Sequence, residues 1–272
     1  MITYKKCQLC GSSKFIIKFR YKKKPKQETD FNINKEKYYR EFWECQSCNH
    51  MFSVMSFDYR KFYEGKYSIA TYGNKMKVIF DKIINLPKKE SDNEKRFSFI
   101  KKHTDFFFGK EHKPHLLDIG SGIGIFPWRA KKNGWNVTAL DPDINHIHHI
   151  KANIKIKTLN LDFMNLSTKA KYEIITLNKV LEHIPEPIKM LNKAKNFLKN
   201  NGFVYIEVPS VKASIKGPQR EEFFIEHLHV FSKKSLLNLI KKSKLFCKKI
   251  IFLIEPSGKY TIRAIATKNE FQ

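Results

Sequence analysis

The stretch that most narrows the folding options is His115-Leu116-Leu117-Asp118-Ile119-Gly120-Ser121-Gly122-Ile123-Gly124. Leu116, Leu117 and Ile119 read as a buried strand, and glycine then stands at every second position. A turn built this way lets backbone approach a ligand where a Cβ would collide. Ile125 to Lys132 reads as a helix that offers Phe126, Ala130 and the stem of Lys131 for packing, with Pro127 tolerated because it falls in the first turn. Strand, glycine turn and helix in this order predict a nucleotide-type site in an α/β sheet.

Two ligand classes use such a turn. A dinucleotide fingerprint needs Gly at the third position after its second Gly, where this chain has Ile125 or Pro127, depending on the glycine counted from. The next predicted strand, Asn136 to Leu140, ends on Asp141, and an acid at that strand tip can accept hydrogen bonds from a ribose. Asp118 sets a second carboxylate beside the glycines. It would repel a diphosphate but suits a ligand with an ammonium group and no phosphate.

In these residues the chain resembles the cofactor half of class I S-adenosylmethionine-dependent methyltransferases. Asp118 to Gly124 is similar to their first motif, so Asp118, Gly120, Gly122 and Gly124 are expected at the cofactor, and Asp141 resembles their ribose-binding acid. Leu161-Asp162-Phe163 resembles the turn that holds the adenine, which makes Asp162 a cofactor residue by that resemblance. Ile174 to His183 is similar to the fourth strand with its Leu-Glu-His tail. Leu198 to Pro209 is similar to a strand segment that normally begins with Lys-Pro-Gly-Gly, here replaced by Lys199-Asn200-Asn201-Gly202. The resemblance spans roughly residues 100 to 268 and implies a Rossmann-like α/β sheet, bound S-adenosylmethionine and methyl transfer.

The remaining periodicity extends the same sheet. Ile154 to Leu159 and Tyr172 to Leu177 read as strands, and Pro187 to Leu198 as a covering helix. Asn178 and Lys179 fall at the mouth of the second strand, so Asn178 is expected to touch the methionine part of the cofactor or the substrate. After Asp141, a helix carries His146, His148 and His149, of which only His146 and His149 can share a face. No Cys or carboxylate stands one turn beyond them, and they are expected to face solvent.

The N-terminal part is organised by Cys7-Gln8-Leu9-Cys10 and Cys45-Gln46-Ser47-Cys48. Paired Cys-x-x-Cys turns can close a four-thiolate structural zinc site from Cys7, Cys10, Cys45 and Cys48; redox thiols or disulfides are the competing reading. The expected organisation is a zinc ribbon over 1–55, a linker and lid over 56–90, and a methyltransferase domain over 91–272. Tyr59, Tyr63, Tyr67 and Tyr72 crowd the linker, where they can cover a ligand or pack between the two parts. The arrangement is similar to methyltransferases with an N-terminal zinc-binding part, some of which act on the sugar of a nucleotide-sugar; there a Tyr of this region faces substrate.

Three residues are candidates for catalysis. His183, between Glu182 and Pro185, is either a base near the crevice or a structural residue at the top of the sheet. Glu226 beside His227 permits an oriented imidazole acting as general base, and an extended Glu226 to Ser232 sends His227 and His229 to one side. The same segment resembles the Glu-His followed by Phe-Ser of zinc-bearing sugar methyltransferases, whose His is the proposed base; by that match His227 comes first. The sugar C-methyltransferases continue into another large domain, whereas here little follows Ile262 to Thr267, so a hydroxyl acceptor is expected ahead of a carbon.

Charge bears on partners. The 272 residues carry 52 Lys and Arg against 26 Asp and Glu, a net charge of +26, which permits nucleic-acid or anionic-surface binding. The basic residues are spread along the chain and crowd only at Arg20 to Lys26. A small acceptor, a sugar or nucleotide-sugar of surface-polysaccharide synthesis, is therefore expected ahead of an RNA-binding or RNA-methylating role. No run of ~18 apolar residues is present, which excludes a membrane span and sets the expectation of a cytoplasmic protein.

Overall fold

The computed structural model describes residues 5–31, 33–34, 38–56 and 71–270. Its first strands, β1 (Phe15–Tyr21), β2 (Arg40–Cys45) and β3 (Met51–Met55), form an antiparallel ribbon between and after the two Cys turns. Helices α1 (Met76–Ile84) and α2 (Asp92–Phe108) follow, α2 starting where the Ser91 side chain accepts the Glu94 N–H. The core of the chain is then β4 (His115–Ile119), α3 (Ile125–Lys132), β5 (Asn136–Asp141), α4 (Ile144–Asn153), β6 (Lys157–Asn160) and β7 (Tyr172–Asn178). It closes with α5 (Pro187–Phe197), β8 (Leu198–Pro209), the short β9 (His229–Val230), α6 (Lys233–Lys242), β10 (Phe246–Ile254) and β11 (Tyr260–Thr267).

Seven strands build the main sheet in the order β10-β11-β8-β7-β4-β5-β6. The five from β4 to β8 are parallel, and β11 runs antiparallel to β8. From β4 the chain moves outward through β5 and β6, then returns to the other side of β4 as β7. That reversal opens a crevice at the carboxyl ends of β4 and β7, where Ile119 pairs with Leu177. Phe97, Ile100, Phe126 and Ala130 of α2 and α3 cover one face of the sheet; Met190, Leu191, Leu236 and Leu239 of α5 and α6 cover the other. The parallel strands are buried on both faces, which is why they read as continuous apolar runs.

This is the Rossmann-like methyltransferase topology expected from the sequence, with differences in detail. The strand expected over Ile154 to Leu159 starts later, because the Ile154 N–H still bonds to the Ile150 carbonyl at 2.8 Å and Lys155 takes a left-handed φ of 59°. His146 and His149 are buried, contrary to the expectation that they face solvent: the first meets Asp141 and the second packs edge-on to Phe80 of α1 at 4.9 Å. Only His148 of the three is exposed. The linker residues Tyr59, Tyr63 and Tyr67 lie outside the described residues. Among the described residues no helix is long and apolar enough to cross a membrane.

The ribbon's sheet has four strands, and the fourth is β9, from far along the chain. Phe52 pairs with His229 and Met51 with Val230, while the Ser53 N–H donates to the Leu228 carbonyl at 2.9 Å. The expected segment boundary near residue 55 is therefore crossed by backbone pairing.

Gly202 in β8 shows how closely the main sheet is packed: a Cβ there would lie 2.5 Å from the Glu173 carbonyl oxygen and 2.9 Å from Leu198. Gly202→Ala should destabilise the fold by about 1–3 kcal/mol, read by denaturant unfolding, since backbone rather than a flexible side chain has to move.

Candidate active site

Asp118 stands on β4 opposite Thr176 of β7, and both are buried. The Thr176 hydroxyl donates to Asp118 Oδ1 at 2.5 Å and Asn178 Nδ2 donates to the same oxygen at 2.8 Å. Burial pushes the Asp118 carboxyl up to about 6, against the hydrogen bonds from Thr176 and its neighbours that favour the charge. Because its amide N–H₂ is spent on Asp118, the buried Asn178 Oδ1 is left as an acceptor without a partner among the described residues. An unmet buried acceptor beside a carboxylate is the donor set for an ammonium group.

The glycine turn arches over the same crevice. Gly122 has φ 51°, a conformation that favours glycine, and no heavy atom lies within 4 Å of where its Cβ would be. Gly120 and Gly124 face inward, against Val180 and against Ile150 and Ile154. Asp141 at the tip of β5 ties this turn down: Oδ2 accepts the Gly122 N–H at 2.8 Å, and Oδ1 accepts the Asp143 N–H at 2.9 Å and faces His146 Nδ1 at 3.1 Å. Tyr72, edge-on to His146 at 5.8 Å, is the linker tyrosine that reaches this corner. Asp162, exposed, caps a short 3-10 turn by accepting the Met164 N–H at 2.7 Å. An open cradle at Gly122 and the unmet Asn178 acceptor both fit S-adenosylmethionine.

The histidines lie at the rim of the crevice. His183 closes the 3-10 turn Leu181–His183 after β7 and donates Nδ1–H to the Glu226 carbonyl at 2.9 Å. His227 donates Nδ1–H to the Glu222 carbonyl at 3.1 Å, and its ring lies 4.9 Å from that of His183. A carbonyl only accepts, so each imidazole carries its lone pair on Nε2. The sequence expectation that Glu226 orients His227 is thus corrected: the orienting acceptor is the backbone of Glu222, and Glu226 lends its own carbonyl to His183. Burial holds both rings neutral, His183 at about 4 and His227 well below the usual imidazole range. His229 does not share the side of His227; in β9 it pairs with the ribbon, with Nδ1 3.1 Å from His50 Nε2. The turn at Ile225 and Glu226, closed by the His227 N–H on the Phe224 carbonyl at 3.0 Å, breaks the extended conformation on which that alternation depended.

The Cys turns converge as well. Sγ atoms of Cys7, Cys10, Cys45 and Cys48 all lie within 4.8 Å of one another, with Cys7 and Cys48 at 3.7 Å and Cys10 and Cys45 at 3.5 Å. These are too long for a disulfide, whose S–S bond is ~2.05 Å. They match the ~3.8 Å edge of a tetrahedron with ~2.3 Å metal–sulfur bonds. Ser232, which caps α6, donates its hydroxyl to the Cys48 carbonyl at 2.5 Å, so the second Cys turn is seated on the main domain.

Sequence reasoning missed the parts that hold the segment bearing His227. Arg40, fully buried on β2, donates Nη1 to the Phe223 carbonyl at 2.7 Å and Nη2 to Glu28 at 2.5 Å. Glu28 in turn accepts the Ile225 N–H at 2.7 Å. One carbonyl and one N–H of the 223–227 segment are therefore gripped from the ribbon. The signal available in the sequence was thin: a charged residue at a strand position flanked by Tyr38 and Phe42.

Residues 93–245 match the methyltransferase domain family, and the chain belongs to it. It is an S-adenosylmethionine-dependent methyltransferase. The sequence is 27% identical over 172 residues to a ubiquinone biosynthesis O-methyltransferase of Shewanella halifaxensis, covering 57% of this chain and 71% of the relative. To that of Actinobacillus pleuropneumoniae serotype 7 it is 30% identical over 124 residues, 42% of this chain and 51% of the relative. Among solved structures, Burkholderia thailandensis 1,6-didemethyltoxoflavin-N1-methyltransferase shares the fold with a TM-score of 0.60 at 15% identity, over 85% of this chain and 96% of that one. The plantazolicin methyltransferase does so with a TM-score of 0.56 at 17% identity, over 75% and 93%.

Gly122→Ala separates binding from folding. The left-handed backbone should cost about 1–2 kcal/mol of stability, with no clash to add to it. Affinity for S-adenosylmethionine should fall by about tenfold or more as the Cβ enters the cradle, measured by calorimetric titration against wild type.

Proposed function

We propose that this enzyme methylates a hydroxyl, ahead of a carbon, on a sugar or nucleotide-sugar precursor of a surface polysaccharide. The observation that carries the reading is the His227 imidazole, held neutral with its basic nitrogen on Nε2, at the rim of the crevice and beside His183. In this reading Asp118, Gly120, Gly122, Gly124, Asp141, Asp162 and Asn178 hold the cofactor. When bound, S-adenosylmethionine supplies a methyl group on a positively charged sulfur. Asn178 Oδ1 would accept from its ammonium group, and Asp141 has lone pairs left for a ribose hydroxyl. His227 takes the proton of the acceptor hydroxyl as that oxygen bonds to the methyl carbon. Orientation and proton removal are the protein's main contributions to rate.

Cys7, Cys10, Cys45 and Cys48 hold a structural zinc ion in this proposal, and four thiolates leave it no open position. Its role is to fold the ribbon that grips the segment 223–227. A small acceptor is favoured over nucleic acid by the basic loop itself: Lys22, Lys23 and Lys24 line a cavity of about 400 Å³ with Phe31, Tyr38 and Ile225, a bounded pocket rather than a continuous groove.

Incubation with methyl-labelled S-adenosylmethionine and separate pools of nucleotide-sugars, glycans and total RNA tests the acceptor. Label should enter a sugar pool, and label confined to RNA would refute the reading. With the acceptor so identified, His227→Ala should lower kcat by about 100-fold or more and leave cofactor affinity unchanged, whereas the exposed His148→Ala should alter neither. Metal analysis should find one zinc per chain; Cys45→Ser should lose it and lower the thermal midpoint. Zinc-free wild-type protein of unchanged stability would remove the metal from the account.

A further inference from the structure

The turn between β7 and α5 buries Glu182 completely, and neither of its carboxylate oxygens has a hydrogen-bond partner among the described residues. A carboxylate is costly to bury in this state, so its surroundings indicate what answers it. One oxygen of Glu182 and one ring nitrogen each of His183 and His227 lie within 4.8 Å of one another. Both Nδ1–H groups are already donated to backbone carbonyls, so each ring offers only a lone pair. Two half-buried imidazoles thus lie beside one fully buried carboxylate.

We propose that Glu182 is the electrostatic positioning partner of the base, holding the imidazolium that forms when His227 takes the acceptor proton. This rests on the assignment of His227 as base. Alone, a buried imidazole is a poor proton acceptor: desolvation and the neighbouring His183 drive His227 well below its ordinary range. A charged carboxylate within 4.8 Å opposes that, since opposite charges attract and the attraction favours the protonated ring. The step balances within the cluster. The acceptor O–H bond breaks and its proton goes to His227 Nε2; the oxygen pair forms the new bond to the methyl carbon, and the electrons of the carbon–sulfur bond stay on sulfur. The proton then leaves to solvent.

Other charged groups face this cluster. Lys179 from the end of β7 acts on both Glu182 and His227, Lys259 from the β10–β11 turn acts on His227, and Glu207 from the end of β8 acts on Glu182. Lys259 is paired with Glu221 at 3.2 Å, Glu207 is held by Arg96 and Arg263, and Glu222 is bound by Arg220. Glu226 adds its carbonyl to His183, and burial raises its carboxyl to about 7. Burial pushes Glu182 up to about 8, with Lys179 opposing. The carboxylate and imidazoles therefore take up one proton as a unit with a midpoint near that value. Below the midpoint the unit already holds a proton and cannot accept another. Above it the carboxylate is charged, the imidazole is neutral and the base is ready, so methyl transfer rises with pH through this region.

The same three side chains are a donor set for a divalent cation, which Lys179 and Lys259 would repel, so the test includes a metal arm. The test uses full-length protein labelled with ¹⁵N-histidine and needs neither acceptor nor turnover, so its outcome is independent of the labelling screen. His227 ring signals, assigned by their loss in His227→Asn, should shift with a midpoint near pH 8 in wild type. Glu182→Gln should abolish that step, and Glu182→Asp should retain an acid-linked step. A wild-type His227 signal that stays flat between about pH 7 and 9, or a Glu182→Gln protein with the same midpoint, would overturn the proposal. Were Glu182→Gln to misfold, the wild-type titration would still decide. Manganese chloride added at equimolar ratio should leave the His183 and His227 signals sharp; selective broadening of both, absent in Glu182→Gln, would assign the cluster to a metal instead.

Discussion

A buried ion pair beside the small sheet fixes the connection that leaves the large sheet after β8. Arg40 and Glu28 are both withdrawn from water, which is tolerable only because every polar arm finds a partner: Tyr38, the Phe223 carbonyl and the Ile225 N–H. Phe19, Phe42 and Phe223 pack edge-to-face around the pair, with ring centroids 4.9 and 5.3 Å apart. Backbone pairing of β3 with β9 continues the grip to residue 230. The ribbon is thus less an appendage than a jig, and the segment it holds includes His227. The ribbon that carries the Cys turns is consequently also what positions the segment bearing His227.

The crevice depends on a different economy of buried charge. Asp118, Asp141 and Glu207 stand toward the carboxyl ends of β4, β5 and β8, and each is stabilised in its own way. Asp118 has a hydroxyl and an amide, and its carboxyl stays elevated. Asp141 has two backbone N–H groups and His146. Burial alone would raise Glu207, but Arg96 and Arg263 outweigh it and hold the carboxyl far below the usual range. Arg96 comes from α2, so the helix that enters the domain is locked to the sheet at its active end. Glu182 differs from these three, since none of the described residues donates to its carboxylate.

Much of the cofactor half was legible because its signals are local. The strand, glycine turn and helix around Asp118 to Lys132, the acid ending β5 and Asn178 ending β7 all follow from short-range patterning and the rule that parallel strands present their carboxyl ends to one crevice. The Cys turns were legible for a similar reason, as thiols two residues apart in a tight turn point one way. Histidines were read less well. His146 and His149 looked like solvent-facing residues on a polar helix, yet Asp141 and Phe80 bury them. His227 and His229 were expected on one side, but the turn at Ile225 and Glu226 sends one to the crevice and the other to the ribbon.

The sequence by itself determined the doubly wound sheet, the position of its ligand crevice and the residues that face it, because these depend on periodicity and on backbone conformations that only certain residues accept. Tertiary structure decided everything that required two distant segments to meet. The pairing of β3 with β9, the grip of Arg40 and Glu28 on residues 223 to 225, and the approach of Glu182 and His183 to His227 join positions separated by 44 to 197 residues. No local pattern encodes which buried polar group finds which partner. That outcome is settled by packing, which leaves a charge in the interior only where its neighbours, or the reaction, can answer it.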